Sequence, residues 1–130
     1  MRENVLKTDY GYQLVWANTD TYCGKIHVFE KENSKTDMIF HENANKSWFV
    51  NSGTFTVRWL DTTNGKLLEQ TVKEGKTFHI AKLTPCSLES HAPGGSVTEC
   101  ADGDTTADSY TIIPASNIGS QNHVSKTNKE

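Results

Sequence analysis

The chain has 130 residues, 35% of them hydrophobic, and 13 Lys and Arg stand against 16 Asp and Glu for a net charge of −3. That length holds one domain, since compact domains run to about 100–200 residues, and it excludes two independent cores. The charge balance leaves no basic patch for a nucleic-acid backbone or an anionic membrane, so neither is an expected partner.

The opening Met1-Arg2-Glu3-Asn4 lacks the basic-then-apolar build of a signal peptide. No run approaches the ~18 apolar residues that a membrane helix needs, and the expectation is a cytoplasmic protein. The apolar segments alternate with period two and are rich in β-branched and aromatic residues, a strand pattern. Residues 12–16 and 22–30 are the first two predicted strands, and Met38-Ile39-Phe40-His41 is the third. Ser47-Trp48-Phe49-Val50 and residues 54–60, joined by Asn51-Ser52-Gly53, read as a hairpin, because a short glycine-containing break separates two aromatic-rich runs. Asp61 to Lys66, with its Asn64-Gly65 step, turns into residues 67–72, and Lys73-Glu74-Gly75 turns again. Short strands follow at Thr77–Ile80, Cys86–Ser90 and residues 96–100, and Tyr110–Ile113 ends the series before Pro114. Strands at spacings of roughly 8–12 residues, without a crossover helix, predict an all-β sandwich or barrel. It spans residues 1–115; the polar stretch 116–130, whose large aliphatics are Ile118 and Val124, reads as a disordered tail.

Cys23, Cys86 and Cys100 are odd in number and form no C-x-x-C pair, which argues against a disulfide framework and a zinc ribbon. Free thiols are expected in a reducing compartment. Asp102-Gly103-Asp104 with Asp108 misses the residue order of a calcium loop and reads as a solvated acidic turn. Strand alternation turns His79 away from the side of Phe78 and Ile80, hence outward.

Asp9-Tyr10-Gly11-Tyr12-Gln13, followed by Trp16-Ala17-Asn18-Thr19 and Tyr22-Cys23-Gly24-Lys25-Ile26, resembles the W-G-Y-E opening of small single-domain cupins similar to the C-terminal part of type II phosphomannose isomerases. The resemblance spans roughly residues 7–115 and implies a single cupin-type β-barrel, or jelly roll. Cupins carry two motifs, G-x5-H-x-H-x3-4-E-x6-G and G-x5-P-x-G-x2-H-x3-N, whose His and Glu residues hold a divalent metal. Setting His41 on the second His of the first motif places Gly53 on its closing Gly, Lys46 on the Glu, Ile39 on the first His and Asn33 on the opening Gly. In the second motif Gly75 matches, Ala81 and Leu83 replace Pro and Gly, Cys86 stands at the His position and Ser90 at the Asn.

The resemblance implies a divalent transition metal (Zn, Ni, Fe or Mn), which needs three or four donors at roughly 2.0–2.3 Å. Only His41 and Cys86 align as donors. A lysine at the Glu position opposes the cation, since two like unit charges ~4 Å apart repel by about 4 kcal/mol at an effective dielectric near 20. The expectation is a chain without a cofactor, the alternative being an incomplete metal site at His41 and Cys86. His41 stays open between a hydrogen-bonded core residue, a metal-independent base and a ligand. Cys86 stays open between a small buried hydrophobe and a thiol made reactive by Lys46.

Two functions follow from the resemblance. In the first, the chain is a sugar-phosphate or sugar-nucleotide isomerase or epimerase. His41 removes a proton beside a carbonyl, and Lys46 or Arg58 supplies positive charge to the oxyanion or phosphate. Trp48, Phe55, Arg58 and Cys86 are the expected substrate contacts; the aromatic group Trp48, Phe55, Trp59 and Tyr110 either lines a sugar cavity or fills the barrel. In the second, the chain is a non-catalytic binding module that kept its cavity and lost its metal. Both readings expect a small-molecule ligand and a homodimer, paired through residues 7–16.

Overall fold

Period-two alternation becomes eleven strands among residues 4–118, the part of the chain that the computed structural model describes. In chain order they are β1 Val5–Lys7, β2 Gly11–Asn18, β3 Cys23–Phe29, β4 Met38–Phe40, β5 Lys46–Ser52, β6 Thr54–Asp61, β7 Lys66–Lys73, β8 Thr77–Ile80, β9 Cys86–Ser90, β10 Gly95–Ala101 and β11 Tyr110–Ile113, followed by one helical turn, α1 Ala115–Ile118. One sheet runs β1-β2-β3-β10-β5-β8 and the other β11-β4-β9-β6-β7. The inward residues Phe29, Trp48 and Val97 of the first meet Phe55, Val57 and Leu88 of the second in one apolar core. Phe29 and Phe55 meet edge to face at 5.0 Å, tying the two sheets together. The result is an all-β jelly roll.

The hairpin expected around Asn51-Ser52-Gly53 does not form. β5 pairs with β10 and β8, whereas β6 pairs with β7 and β9, so the break is a corner between sheets. Gly53 has φ 91°, and a Cβ there would stand 3.2 Å from the Gly95 Cα. A corner and a tight hairpin turn both need a residue that tolerates positive φ, so the local signal is the same for either. Packing decides between them: Trp48 and Val50 on one run and Phe55 and Val57 on the other are all buried, facing across the barrel. The hairpin that does form joins β6 to β7, in register from Thr54↔Lys73 to Asp61↔Lys66. Asp61 Oδ1 accepts from the Thr63 amide at 3.0 Å and its hydroxyl at 2.6 Å, and Gly65 takes φ 76°.

Of the expected tail, residues 116–118 complete α1. Asp37 Oδ1 accepts the Ala115 amide at 2.8 Å, and Ile118 is buried with Met38 and Leu67. Residues 119–130 lie outside the described part. At the other end β1 pairs with β2, so the outer edge of β2 is taken by the chain itself. All three cysteines are free, with Cys23 and Cys86 buried and Cys100 exposed. His79 points outward, 2.7 Å from Ser47 Oγ. No helix among the described residues is long and apolar enough to cross a membrane.

Candidate functional site

Two strands carry polar residues in the same phase as core residues. On β3 the buried face is Cys23, Lys25, His27 and Phe29, and on β10 it is Gly95, Val97, Glu99 and Ala101. β10 lies between β3 and β5, so Glu99 is opposite Lys25 on one side and Trp48 on the other, and Ala101 is opposite Lys46. Of these, Lys25, His27, Lys46, Trp48 and Glu99 open on a cavity of about 450 Å³, which Tyr10, Gln13, Ile39, His41, Cys86 and Thr105 also line.

Glu99 is the acceptor at the centre of one network. Oε1 receives His27 Nε2–H at 2.9 Å and Trp48 Nε1–H at 2.9 Å, and Oε2 receives the Thr105 hydroxyl at 2.6 Å. Burial by itself would raise its pKa, but the nearby Lys46 charge and the His27 contact prevail and hold the carboxyl well below the usual range. With Nε2–H given to Glu99, Nδ1 of His27 faces the Tyr10 hydroxyl at 3.0 Å and can accept from it. Tyr10 Oη in turn accepts from Gln13 Nε2 at 2.9 Å. Burial pushes the Tyr10 phenol far above its ordinary value, so it stays a donor.

A second network holds Lys46. A backbone carbonyl can only accept, so the contact of His41 Nδ1 with the Asp108 carbonyl makes Nδ1 the protonated nitrogen. The lone pair at Nε2 then receives Lys46 Nζ–H at 2.8 Å. Burial, and then the Lys46 charge, push the His41 pKa down. The loop behind it is held by Asp108, whose carboxylate accepts the amides of Glu42 and Asn43 at 2.8 Å and of Ala44 at 3.1 Å. Asp102 likewise accepts from Asn45, and Asp104 from Thr106 and Ala107, so the acidic turn knits loops together. Lys46 Nζ also sits 4.7 Å above the Trp48 ring centroid, a cation–π distance.

His41, Lys46, Trp48 and Cys86 therefore converge on one cavity, and Ile39 is the cross-strand neighbour of Cys86. Two predicted contacts do not join them. Phe55 is fully buried in the apolar core and does not line the cavity. Arg58 is out of phase with Phe55 and Val57, so it leaves the barrel interior and bonds Glu69 at 3.2 Å and Glu89 at 2.7 Å. Trp59 packs on Phe78 at 5.0 Å, and Tyr110 stacks on Phe40 at 5.3 Å. Tyr10, Gln13, Lys25, His27, Glu99 and Thr105 were not expected at the site. For three of them a signal existed: His27 and Lys25 are in phase with Phe29, and Glu99 with Val97.

The residues present do not fit a divalent metal. Among the described residues no group of three or more His, Cys, Asp and Glu could hold one. The His41 Nε2 lone pair is taken by Lys46, and burial raises the Cys86 thiol pKa, away from the thiolate that coordinates metals.

No family model and no curated protein matches the chain. Solved structures do. Oxalate decarboxylase of Bacillus subtilis superposes with a TM-score of 0.74 at 14% identity, over 95% of this chain and 35% of that one. The capsular polysaccharide assembling protein CapF of Staphylococcus aureus superposes at 0.71 with 17% identity, over 84% and 32%. The chain has the cupin fold. It spans about a third of the length of those two proteins. KdgF of Halomonas sp. is nearer in size, matched at a TM-score of 0.61 and 16% identity over 72% of this chain and 78% of that one. At these identities the likeness is one of fold, and function has to be argued from the site.

Proposed function

We propose that this cupin binds a small anionic carbohydrate, of the sugar-phosphate class, in the cavity between its sheets. One observation carries the reading: Lys46 presents an ammonium to the cavity, fixed in place by His41 and Trp48. Of its three N–H groups one is given to His41, and the hydrogen bonds among the described residues include no other for Nζ. The Trp48 ring in the same wall offers an apolar face to a sugar ring. The volume lies within the about 300–1,000 Å³ of small-molecule sites. The support favours binding over turnover, because the bases already have partners: His41 Nε2 holds Lys46, His27 Nδ1 holds Tyr10, and Glu99 holds three donors.

An isomerase or epimerase is the second reading, favoured by the Gln13–Tyr10–His27–Glu99 chain. It joins a donor phenol to an imidazole oriented by a carboxylate, parts that can pass a proton to or from a bound sugar. The free thiols suit a cytoplasmic protein, and the outer edge of β1, which has no partner strand among the described residues, is where a second copy would pair. Calorimetry with hexose phosphates and the parent hexoses tests the main reading. Phosphates should bind and neutral sugars bind at least about tenfold more weakly, with Lys46→Met removing the difference. Equal binding of both classes, or unchanged phosphate binding in Lys46→Met, would overturn it.

A further inference from the structure

Lys25 stands in the middle of β3, 4% exposed, and lines the cavity. Its cross-strand neighbour on β10 is Glu99, yet that carboxylate is engaged by His27, Trp48 and Thr105. Among the described residues Lys25 Nζ has no hydrogen-bond or salt-bridge partner. Burial without a partner disfavours the charged form of an amine. Burial, and to a lesser degree the Lys46 charge, pull its pKa down against the opposing fields of Glu99, Cys23 and Asp104. The two buried lysines therefore differ in kind. Lys46 gives one N–H to His41 Nε2, whereas Lys25 Nζ has no partner among the described residues and borders the cavity.

We infer that Lys25 is a nucleophile whose Nζ condenses with the carbonyl carbon of a small aldehyde or ketone in this cavity to form an imine. The Nζ lone pair attacks the carbonyl carbon, a C–N bond forms, and the C=O π pair moves to oxygen. A proton passes from nitrogen to that oxygen, giving a carbinolamine. The hydroxyl then takes a further proton and leaves as water, while the nitrogen pair closes the C=N bond. The amine loses two protons in all, both carried away in the one water released, and no oxidant or reductant is consumed. A desolvated lysine near a second cation is the arrangement that activates an amine for this step. The Tyr10–His27–Glu99 chain borders the same cavity and can hand over and recover the proton on which dehydration depends.

The test is reductive trapping of the folded full chain with glycolaldehyde and sodium cyanoborohydride near neutral pH, followed by peptide mapping. An uncharged probe is used so that the result does not depend on anion binding. Lys25 should be alkylated at least about tenfold faster than the exposed lysines. Lys25→Met, which has no amine, should lose that product while the exposed lysines are alkylated as in the wild type. As a check that needs no variant, competitive acetylation of wild-type chain across pH should show Lys25 reacting at lower pH than the exposed lysines. Alkylation confined to exposed lysines, or reaching Lys25 only after unfolding, would overturn the inference. Trapping at Lys25 in a chain that binds no sugar phosphate would leave it standing while the anion-binding reading fails.

Discussion

Lys46 donates to His41 Nε2 at 2.8 Å, and both residues fall at positions that the motif resemblance aligns with metal ligands. The pair occupies the lone pair a metal would need and replaces an acidic donor with a cation. Cys86 opens on the same cavity. The side chains gathered around His41 thus carry the wrong charge for a divalent cation.

If the charge at position 46 is what excludes a metal, Lys46→Glu should admit one. It frees His41 Nε2 and adds a carboxylate beside Cys86, making three donors. Zinc or nickel titrated by calorimetry should bind near one per chain in the variant and far more weakly in the wild type. No gain in the variant would show that His41 and Cys86 do not converge on one ion.

Lys46→Met should also move His41. Removing a neighbouring positive charge favours the imidazolium, so the depressed His41 pKa should rise toward its ordinary value of about 6.5, with burial still opposing it. The C2–H resonance followed by NMR across pH reads this directly. An unchanged midpoint would mean that burial alone sets the His41 value.

Glu99→Gln tests the central acceptor. The substitution keeps the shape but removes the anion that receives His27, Trp48 and Thr105 and offsets the buried lysines. Breaking a buried charge network in this way costs about 3–5 kcal/mol. Urea denaturation should show a loss of that size. A loss below about 1 kcal/mol would place Glu99 among ordinary neutral acceptors.

Acid should destabilise the fold in two steps. The His41 pKa is lowered in the folded chain, so as pH falls below about 6.5 the unfolded chain takes up a proton that the folded one refuses. Stability drops until the folded pKa is reached. Glu99 is also depressed, so its contribution is fully present above about 4.3 and is lost as pH falls through its folded pKa. Thermal melts from neutral to acid pH should show both declines, and His41→Asn should remove most of the first. A flat profile between pH 7 and about 5 would contradict the His41 assignment.

At the corner between β5 and β6, Gly53→Ala should cost roughly 1–2 kcal/mol, the penalty for a left-handed L residue. Its Cβ would also meet the Gly95 Cα at 3.2 Å. A melt matching the wild type would show that the corner relaxes freely.

Most strands were legible because alternation reports on a residue's own backbone, which sends successive side chains to opposite faces. β2, β3, β8, β9 and β11 arise where that pattern occurs in the sequence. The partners of a strand were less legible. Asn51-Ser52-Gly53 carries the same positive-φ signal for a hairpin and for a corner, and the choice rested on Trp48 meeting Phe55 and Val57 across the core. Arg58 and Phe55 share a strand, and alternation alone separates the outward guanidinium from the inward ring.

The sequence by itself determined the all-β class, the free thiols, the motif spacing that places Ile39, His41, Lys46 and Cys86 at one site, and the inward phase of Lys25, His27 and Glu99. Tertiary structure alone decided which sheet each strand joins and that β10 lies between β3 and β5, bringing Glu99 to His27 and Trp48. It also decided that Lys46 finds His41, and that Lys25 has no hydrogen-bond partner among the described residues. The facing of a side chain follows from local stereochemistry, whereas its neighbours follow from contacts between segments tens of residues apart, whose burial and charge balance no local pattern encodes.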